Sequence, residues 1–253
     1  MSCAAATPHG TGPLGPVRHL AEVDSTNRYA LDAARAGEAS GLVVVADHQT
    51  AGRGRLGRTW EAPAGASLLM SVLLRPALRL EAMHLLTMAA GLAVAEAVAE
   101  VAGFTPTLKW PNDLLAGDRK LAGMLTEAEV SDGAVTAVVV GIGVNVQWTD
   151  FPPEIAETAT ACNLVAGRDV PRDALLDAFL ARYGERLADL DAVPDDYRSR
   201  LGTLGQRVRI ELADETFEGE AVGVADDGAL EVRTAAGTSR VVAAGDVVHL
   251  RPA

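Results

Sequence analysis

Cysteine and basic residues are scarce in this chain of 253 residues. The two cysteines, Cys3 and Cys162, form neither a disulfide framework nor a metal-ligand spacing, which fits a reducing compartment. The 22 Lys and Arg residues are outnumbered by 34 Asp and Glu residues, so the formal net charge is −12. This charge opposes nonspecific binding to nucleic acid or to anionic membranes, because both attract basic surfaces. We therefore expect a cytoplasmic protein with no membrane partner.

The chain also lacks an apolar run that suits a lipid bilayer or a secretion signal. Its longest apolar stretch, Leu80 to Gly103, is interrupted by His84 and three glutamates, and we predict a buried, alanine-rich helix there. Residues 1–16 contain neither a basic segment nor a sustained apolar segment, so we predict a disordered tail. With 49% hydrophobic residues, the remaining chain can bury a full core.

What basic charge there is concentrates in one segment, Gly52 to Trp60, which reads Gly-Arg-Gly-Arg-Leu-Gly-Arg-Thr-Trp and is called the arginine loop below. Arginine presents a permanently charged fork of donors to carboxylates and phosphates, and glycine lets the backbone approach a ligand closely. The pattern predicts an anion-binding loop that is mobile when empty, because few apolar side chains hold it. The alternative is a flexible surface loop with solvated arginines.

The arginine loop also matches the dinucleotide fingerprint G-x-G-x-x-G, but its context argues against that fold. The fingerprint opens a helix and is followed by an acidic residue about 20 positions later. Here the loop leads to an apolar strand, Ser67 to Leu74, and no acid occurs from Ala62 to Leu80. A Walker A loop is excluded as well, because no Gly-Lys-Ser/Thr follows.

The hydrophobic pattern of residues 17–203 predicts one domain of mixed strands and helices. Its predicted strands are Val17 to Leu20, Leu42 to Asp47, Ser67 to Leu74, short strands on either side of Lys109 to Asp113, and a hairpin of Leu121 to Val130 with Ala134 to Val146. Its predicted helices are Tyr29 to Gly37, Leu80 to Gly103, Pro171 to Asp191 and Asp195 to Leu201, of which the last two are expected on the outside of the sheet. We make no prediction for Pro152 to Gly167.

The sequence pattern changes at residue 204, and residues 204–253 predict a second, small domain. Short alternating strands are separated by turn signals, which is typical of a small β-barrel of the SH3-like kind. The predicted strands are Val208 to Leu212, Thr216 to Val224, Leu230 to Thr234, Thr238 to Ala243 and Val247 to Arg251.

Three further segments combine charge, amides and glycines at the ends of predicted strands. They are Lys109-Trp-Pro-Asn-Asp113, Arg119-Lys-Leu-Ala-Gly123 and Gly141-Ile-Gly-Val-Asn-Val146. Each alone has a plain structural explanation: the lysines could be solvated, Trp110 could be a core aromatic and Asn145 a turn residue. Their combination with the arginine loop favours a shared site.

Together with Asp24-Ser-Thr-Asn27 and Gln49, these segments resemble, in order, those of the biotin protein ligases. The resemblance covers Val17 to Ala253. It implies an α/β (α+β) fold in which a mixed β-sheet is flanked by helices, as in class II aminoacyl-tRNA synthetases and lipoyl ligases, followed by an SH3-like β-barrel.

The resemblance implies a ligase that works in two steps through an acyl-adenylate. Biotin and ATP first give biotinyl-5′-AMP and pyrophosphate, and Mg²⁺ neutralises the leaving pyrophosphate. A lysine of a biotin carboxyl carrier domain then attacks the adenylate; the expected partners are acyl-CoA carboxylases and also pyruvate carboxylase. In the first step a carboxylate approaches a phosphate, and the repulsion of two anions at about 4 Å is a few kcal/mol at an effective dielectric constant near 20.

The resemblance also implies roles for individual residues. Biotin contacts are expected from Ser25, Thr26, Asn27, Gln49, Gly52, Arg53, Lys120 and Gly123. ATP contacts are expected from Arg53, Arg55, Arg58, Trp60, Lys109, Asn112, Lys120 and Asn145. Catalysis is expected to depend on Lys120, Arg53, Arg55 and Asp113, and Asp113 is also the candidate metal ligand or guide for the lysine amine.

The chain departs from the pattern of the biotin protein ligases in two respects, and two other functions are alternatives. Some relatives begin with a DNA-binding domain, whereas only a short tail precedes the first strand here, so we expect a monofunctional ligase that does not bind DNA. Leu56 takes a loop position that is often basic in relatives. A lipoate ligase would share the fold and adenylation chemistry, but Ser25, Thr26 and Gln49 favour the polar ureido ring of biotin. A non-catalytic protein-binding module would have no need of Lys109, Asp113 and Lys120.

Overall fold

The computed structural model describes residues 14–212, 214–243 and 245–250, which form two β-sheets and five helices. The first sheet contains β1 (Val17–Val23), β2 (Val43–Gln49), β3 (Ser67–Leu74), β4 (Thr107–Lys109), β5 (Asp113–Ala116), β6 (Arg119–Ser131) and β7 (Ala134–Asn145). The helices are α1 (Thr26–Arg35), α2 (His84–Ala102), α3 (Cys162–Ala166), α4 (Arg172–Ala188) and α5 (Val193–Arg200). The strand order β1-β2-β3-β7-β6-β5-β4 places β3 and β7 at the centre of the sheet.

The first sheet is mixed and is covered by helices on both faces. β1 and β2 are parallel, whereas every other neighbouring pair in this sheet is antiparallel. Val44 packs in the cluster that includes helix α1, and its neighbours Val43 and Val45 pack in the cluster that includes helix α2. Because side chains alternate along a strand, covering both faces buries every residue of β3, which explains why its sequence is apolar apart from Ser67 and Ser71.

Helix α2 occupies the core, as its alanine-rich sequence predicted. Residues Leu80–Ala102 are long and apolar enough to cross a membrane, with a mean hydropathy of 1.7, but 67% of that segment is buried inside the protein. The prediction that α4 packs on the outside of the sheet needs correction, because α4 lies chiefly on α2. Its Tyr183 hydroxyl donates to the Leu86 carbonyl of α2 at 3.3 Å. The helical layer on this face is thus two helices deep.

The second sheet contains the five predicted C-terminal strands, β8 (Arg207–Glu211), β9 (Thr216–Val224), β10 (Leu230–Thr234), β11 (Ser239–Val242) and β12 (Asp246–His249). They are arranged β11-β10-β9-β8-β12 with antiparallel neighbours. Ala213 and the predicted strand end Arg251 lie outside the described residues, as do residues 1–13 with Cys3. The other cysteine, Cys162, is buried in the core, which raises the pKa of its thiol to about 12.

The described part of the predicted tail belongs to the fold. The Gly15 amide donates to the Gly41 carbonyl at 2.7 Å, and Leu14 packs against the main core. The prediction of disorder up to residue 16 is therefore wrong for residues 14–16, because these hydrogen bonds and contacts hold them beside the start of β2.

The two sheets meet at Trp110, which follows β4. Its indole Nε1 donates to the Gly228 carbonyl at 2.9 Å, and its backbone amide donates to the Thr203 hydroxyl at 3.0 Å. Since Thr203 Oγ1 accepts that bond, its own hydrogen can be donated to His249 Nε2, which lies 3.1 Å away. This arrangement requires a neutral His249 imidazole.

His249 is expected to make stability fall below neutral pH. Burial lowers its pKa from the usual value of about 6.5, Lys109 lowers it further, and Asp118 opposes the change. Because the folded protein favours the neutral imidazole, this contribution is complete above pH about 6.5 and is lost as the pH falls through the lowered pKa. Urea unfolding of His249→Gln and of the original protein from about pH 7.5 to 5 should show a shrinking difference in unfolding free energy. Parallel pH profiles would contradict this.

Candidate active site

A cavity of about 270 Å³ opens between the first sheet, the arginine loop and the edge of the second sheet. Thirteen of the fifteen site residues predicted from the sequence line it: Ser25, Thr26, Asn27, Gln49, Arg53, Arg55, Arg58, Trp60, Lys109, Asn112, Asp113, Lys120 and Gly123. The two exceptions are Gly52 and Asn145. The second sheet adds Glu211 and the first three residues of β12 to the walls.

One end of the cavity is built from uncharged hydrogen-bonding groups at the start of α1. Ser25 is the N-cap of α1, and its hydroxyl accepts from the Arg28 amide at 3.5 Å. The amide and the hydroxyl of Thr26 both donate to Gln49 Oε1, at 2.7 and 3.0 Å. Helix capping thus holds Ser25 and Thr26 in place, while Gln49 joins α1 to the end of β2.

Asn27 lies in the same region and depends on a glycine in the central strand β7. Ser71 donates to Asn27 Oδ1 at 2.6 Å, and Asn27 Nδ2 donates to the Leu125 carbonyl at 3.2 Å and to Glu127 at 2.7 Å. A Cβ atom at Gly141 would lie 2.2 Å from Asn27 Oδ1. Only glycine at position 141 leaves room for this amide.

The arginine loop is a short hairpin whose two ends approach each other closely. The Trp60 amide donates to the Gly52 carbonyl at 3.0 Å, and a Cβ atom at Gly52 would lie 2.2 Å from the Trp60 carbonyl oxygen. Gly52 is therefore needed at the stem of the loop, although it does not line the cavity. At the tip, Leu56 is 68% exposed with a left-handed φ of 56°, which costs about 1 kcal/mol for a side chain with a Cβ.

Trp60 lies flat against the floor of the cavity. A Cβ atom at Gly143 would come within 2.7 Å of the indole, so a second glycine of β7 makes room for this ring. The Lys120 ammonium lies 5.5 Å from the ring centroid, at cation–π distance. Within the described ranges the indole Nε1 is buried without a hydrogen-bond partner.

Lys120 and Asp113 form an ion pair across the β5–β6 hairpin, with Nζ and Oδ1 2.7 Å apart. Asp113 is paired with Gly123 in the strand register, and a Cβ atom at Gly123 would lie 3.2 Å from Lys120 Nζ and 3.3 Å from Asp113 Oδ1. Because Gly123 has no side chain, the side chains of Lys120 and Asp113 can meet over its backbone.

The remaining cations surround this ion pair. Arg53 contacts Glu127 at 3.0 Å, Arg58 is paired with Asp246 of the second sheet, and Arg55 donates to Asn112 Oδ1 at 3.2 Å.

Lys109 is the fifth cation of the site, and the charged forms of Lys109 and Arg55 are both destabilised. Burial lowers the pKa of Lys109, Lys120 and Arg58 lower it further, and Asp113 opposes the change. Burial likewise lowers the pKa of Arg55, with the same opposition from Asp113. Five cations around one cavity, two of them poorly solvated, form a site prepared for negative charge.

Asn145 lies beneath the site and not in it. Its side chain accepts from Ser67 Oγ at 3.2 Å and donates to the Thr160 carbonyl at 3.0 Å. These bonds tie the end of β7 to β3 and to the segment before α3.

The residues near Asp113 do not fit a resident metal ion. Within the described residues no group of three His, Cys, Asp or Glu side chains is arranged to hold a metal, and Asp113 is paired with Lys120.

Three residues that bind the side chains of predicted site residues were not predicted from the sequence: Ser71, Glu127 and Asp246. Ser71 is the second of two serines in an apolar strand and has no distinguishing pattern. Glu127 lies four residues after Gly123 on β6, so strand alternation could have placed it on the same face as Gly123. Asp246 belongs to the second sheet, and no local signal connects it with Arg58.

Two family descriptions match the sequence. The sequence model of the biotin/lipoate A/B protein ligase family matches residues 20–145, and that of the biotin protein ligase C-terminal domain matches residues 203–250.

Similar proteins extend the match over most of the chain. The biotin–[acetyl-CoA-carboxylase] ligase of Mycobacterium tuberculosis is 40% identical over 242 residues, which cover 92% of this chain and 88% of that protein. The bifunctional ligase/repressor BirA of Bacillus subtilis is 34% identical over 232 residues, covering 88% and 70%. The structure of biotin protein ligase from Aquifex aeolicus in complex with biotin and ATP superimposes with a TM-score of 0.79 at 31% identity, covering 93% of this chain and 99% of that one. The chain therefore belongs to the biotin/lipoate A/B protein ligase family, and within it to the biotin protein ligases.

Proposed function

We propose that this chain activates biotin with ATP and transfers the biotinyl group to a lysine of a carrier protein. The observation that supports this most directly is the division of one cavity into two ends. Uncharged donors and acceptors from the start of α1 and the end of β2 line one end, four cations line the other, and the fifth, Arg53, adjoins Asn27 through Glu127. A molecule with a neutral polar ring and a carboxylate, meeting a nucleoside triphosphate, matches both ends.

At the uncharged end, we propose that Thr26 and Gln49, with Ser25 and Asn27, hydrogen-bond the ureido ring of biotin. A buried ureido group needs both donors and acceptors, which hydroxyl and amide side chains supply. Gly52 and Gly123 are proposed to let the backbone approach the ligand. A dithiolane ring offers these polar groups neither a donor nor an acceptor of comparable strength, so biotin is favoured over lipoate.

At the charged end, we propose that a biotin carboxylate oxygen attacks the α-phosphorus of ATP. A bond forms between that oxygen and phosphorus, the bond from phosphorus to the β-phosphate oxygen breaks, and pyrophosphate leaves; Mg²⁺ bound to the nucleotide would neutralise its charge. Lys120 contacts both the carboxylate and the α-phosphate, so its charge reduces their repulsion as they approach. Arg53 and Arg55 close over the product.

The nucleotide is proposed to lie between the arginine loop and the second sheet. Trp60 would stack on adenine, and the other expected contacts to ATP are Arg58, Lys109, Asn112 and Asn145. Because the Asn145 amide is 4% exposed and hydrogen-bonded within the protein, its contribution is proposed to be indirect, through the end of β7.

In the second step, the amine of a carrier lysine attacks the acyl carbon and AMP leaves. Asp113, beside Lys120, is proposed to guide that amine toward the adenylate. The name of the Mycobacterium tuberculosis relative points to acetyl-CoA carboxylase as the source of the carrier domain, and pyruvate carboxylase is a second candidate. We propose that the reaction takes place in the cytoplasm without a DNA or membrane partner, because a net charge of −12 disfavours both.

We also propose a division into a catalytic domain of residues 17–203 and an SH3-like barrel of residues 204–253. The five antiparallel strands of the second sheet and the family match to residues 203–250 support this boundary.

An exchange assay separates the proposed activity from its rivals. Isotope exchange between pyrophosphate and ATP should depend on biotin and should not be supported by lipoate, because only the ureido ring pairs with the uncharged end of the cavity. Exchange that requires lipoate would identify a lipoate ligase. If neither acid supports exchange, the non-catalytic alternative is favoured.

Lys120→Ala should reduce adenylate formation by at least about a hundredfold, the typical cost of losing one donor that stabilises transition-state charge. Arg119→Ala is the matched control, since Arg119 is the exposed preceding residue of the same strand and does not line the cavity. Circular dichroism should show the same fold in both variants. An active Lys120→Ala protein would remove Lys120 from the mechanism.

Ligands should protect the arginine loop from trypsin. Arg53, Arg55 and Arg58 are cleavage sites on a loop held mainly by polar contacts, so the empty loop opens readily. Addition of biotin with ATP should slow cleavage within this loop relative to cleavage elsewhere in the chain. An unchanged rate would mean that the loop does not close over the ligands.

A further inference from the structure

Glu127 lies outside the cavity but joins two of its walls. A single carboxylate oxygen, Oε2, accepts from Asn27 Nδ2 at 2.7 Å and from Arg53 Nη2 at 3.0 Å. Asn27 belongs to α1 at the uncharged end, and Arg53 belongs to the arginine loop. One oxygen in the middle of β6 therefore ties the loop to the uncharged end of the cavity.

The Glu127 carboxylate differs from the other carboxylates paired with site cations. Asp113 and Asp246, the partners of Lys120 and Arg58, line the cavity themselves and face any anion that enters it. Glu127 instead lines a neighbouring groove, which the arginine loop also lines. A ligand in the cavity can compete with Asp113 and Asp246, whereas it leaves the Glu127 contacts in place.

The Asn27 amide is oriented by the same oxygen. With Oδ1 accepting from Ser71 and Nδ2 donating to Glu127 and Leu125, both ends of the amide have partners and the side chain has one orientation. Loss of the carboxylate charge would weaken the Nδ2 contact and release Arg53 at the same time.

We infer that Glu127 is a positioning residue for biotin binding, which acts through Arg53 and Asn27 and holds the arginine loop against the uncharged end of the cavity. The choice of biotin as the ligand rests on the proposed function. The role of Glu127 in holding the loop rests on its contacts with Arg53 and Asn27 in the ligand-free protein. It assigns a role in the reaction to a residue that touches neither substrate.

Glu129 provides a matched control. It lies two positions further along β6, points to the same face, and pairs with Arg35 of α1 outside the site. The exposed fractions of the Glu127 and Glu129 side chains are 26% and 27%. Glu127→Gln and Glu129→Gln thus each remove one partly exposed ion pair to an arginine, and only the first touches the arginine loop.

The test compares these variants by calorimetric biotin titration without ATP and by tryptic cleavage in the arginine loop without any ligand. Glu127→Gln should raise the dissociation constant for biotin about fivefold, the upper range for a partly exposed ion pair, and should speed loop cleavage. Glu129→Gln should change neither, and the two variants should unfold at similar temperatures. In an Arg53→Gln background, Glu127→Gln should have a much smaller effect on biotin binding, because its partner is already absent.

Equal biotin affinities for Glu127→Gln and Glu129→Gln would overturn the inference, as would an undiminished effect of Glu127→Gln in the Arg53→Gln background. If the original protein binds no biotin, the proposed function fails instead. The cleavage rates without ligand then still decide whether Glu127 holds the arginine loop. Faster cleavage in Glu127→Gln but not in Glu129→Gln supports this role, and equal cleavage rates in the two variants refute it.

Discussion

Repulsion among five cations around one cavity is the constraint on which the site depends. Arg53, Arg58 and Lys120 each have a carboxylate partner, whereas Arg55 and Lys109 are partly buried with lowered pKa values. The partners come from separate elements: β6, β12 and β5. The surrounding acidic protein therefore supplies counter-charges that hold the cations together before any substrate arrives.

These carboxylates also determine how the empty site can bind anions. Asp113 and Asp246 line the cavity beside Lys120 and Arg58, so under the proposed function the carboxylate and the phosphates would replace them as partners of these cations. Such an exchange avoids collecting five unpaired cations in the apo protein. It also makes the second sheet part of the site, because Asp246 lies on β12 and the neighbouring junction fixes Trp110 against Gly228.

Space for the side chains that line the site comes from bare backbone at the centre of the first sheet. Gly141 and Gly143 lie two residues apart on β7 and accommodate Asn27 and Trp60, and Gly123 of β6 is paired with Gly143 in the strand register. This glycine patch explains why the segments around the site alternate glycine with apolar residues. The strand β3, the β6–β7 hairpin and the five C-terminal strands were predictable from the sequence, because their hydrophobic patterns follow local burial. The short helix α3 and the packing of α4 on α2 were not, because neither is determined by local sequence. Likewise, the site residues were found through contiguous motifs, whereas Glu127 and Asp246 became visible only when distant parts of the chain met in three dimensions.

A crystal structure with biotin and a non-hydrolysable ATP analogue tests the exchange of anions most directly. The account predicts the ureido ring beside Thr26 and Gln49, the carboxylate and α-phosphate beside Lys120, and Arg58 turned from Asp246 toward the phosphates, with Arg53 still on Glu127. A bound nucleotide that leaves the Arg58–Asp246 and Lys120–Asp113 pairs unchanged, with its phosphates contacting other residues, would contradict it.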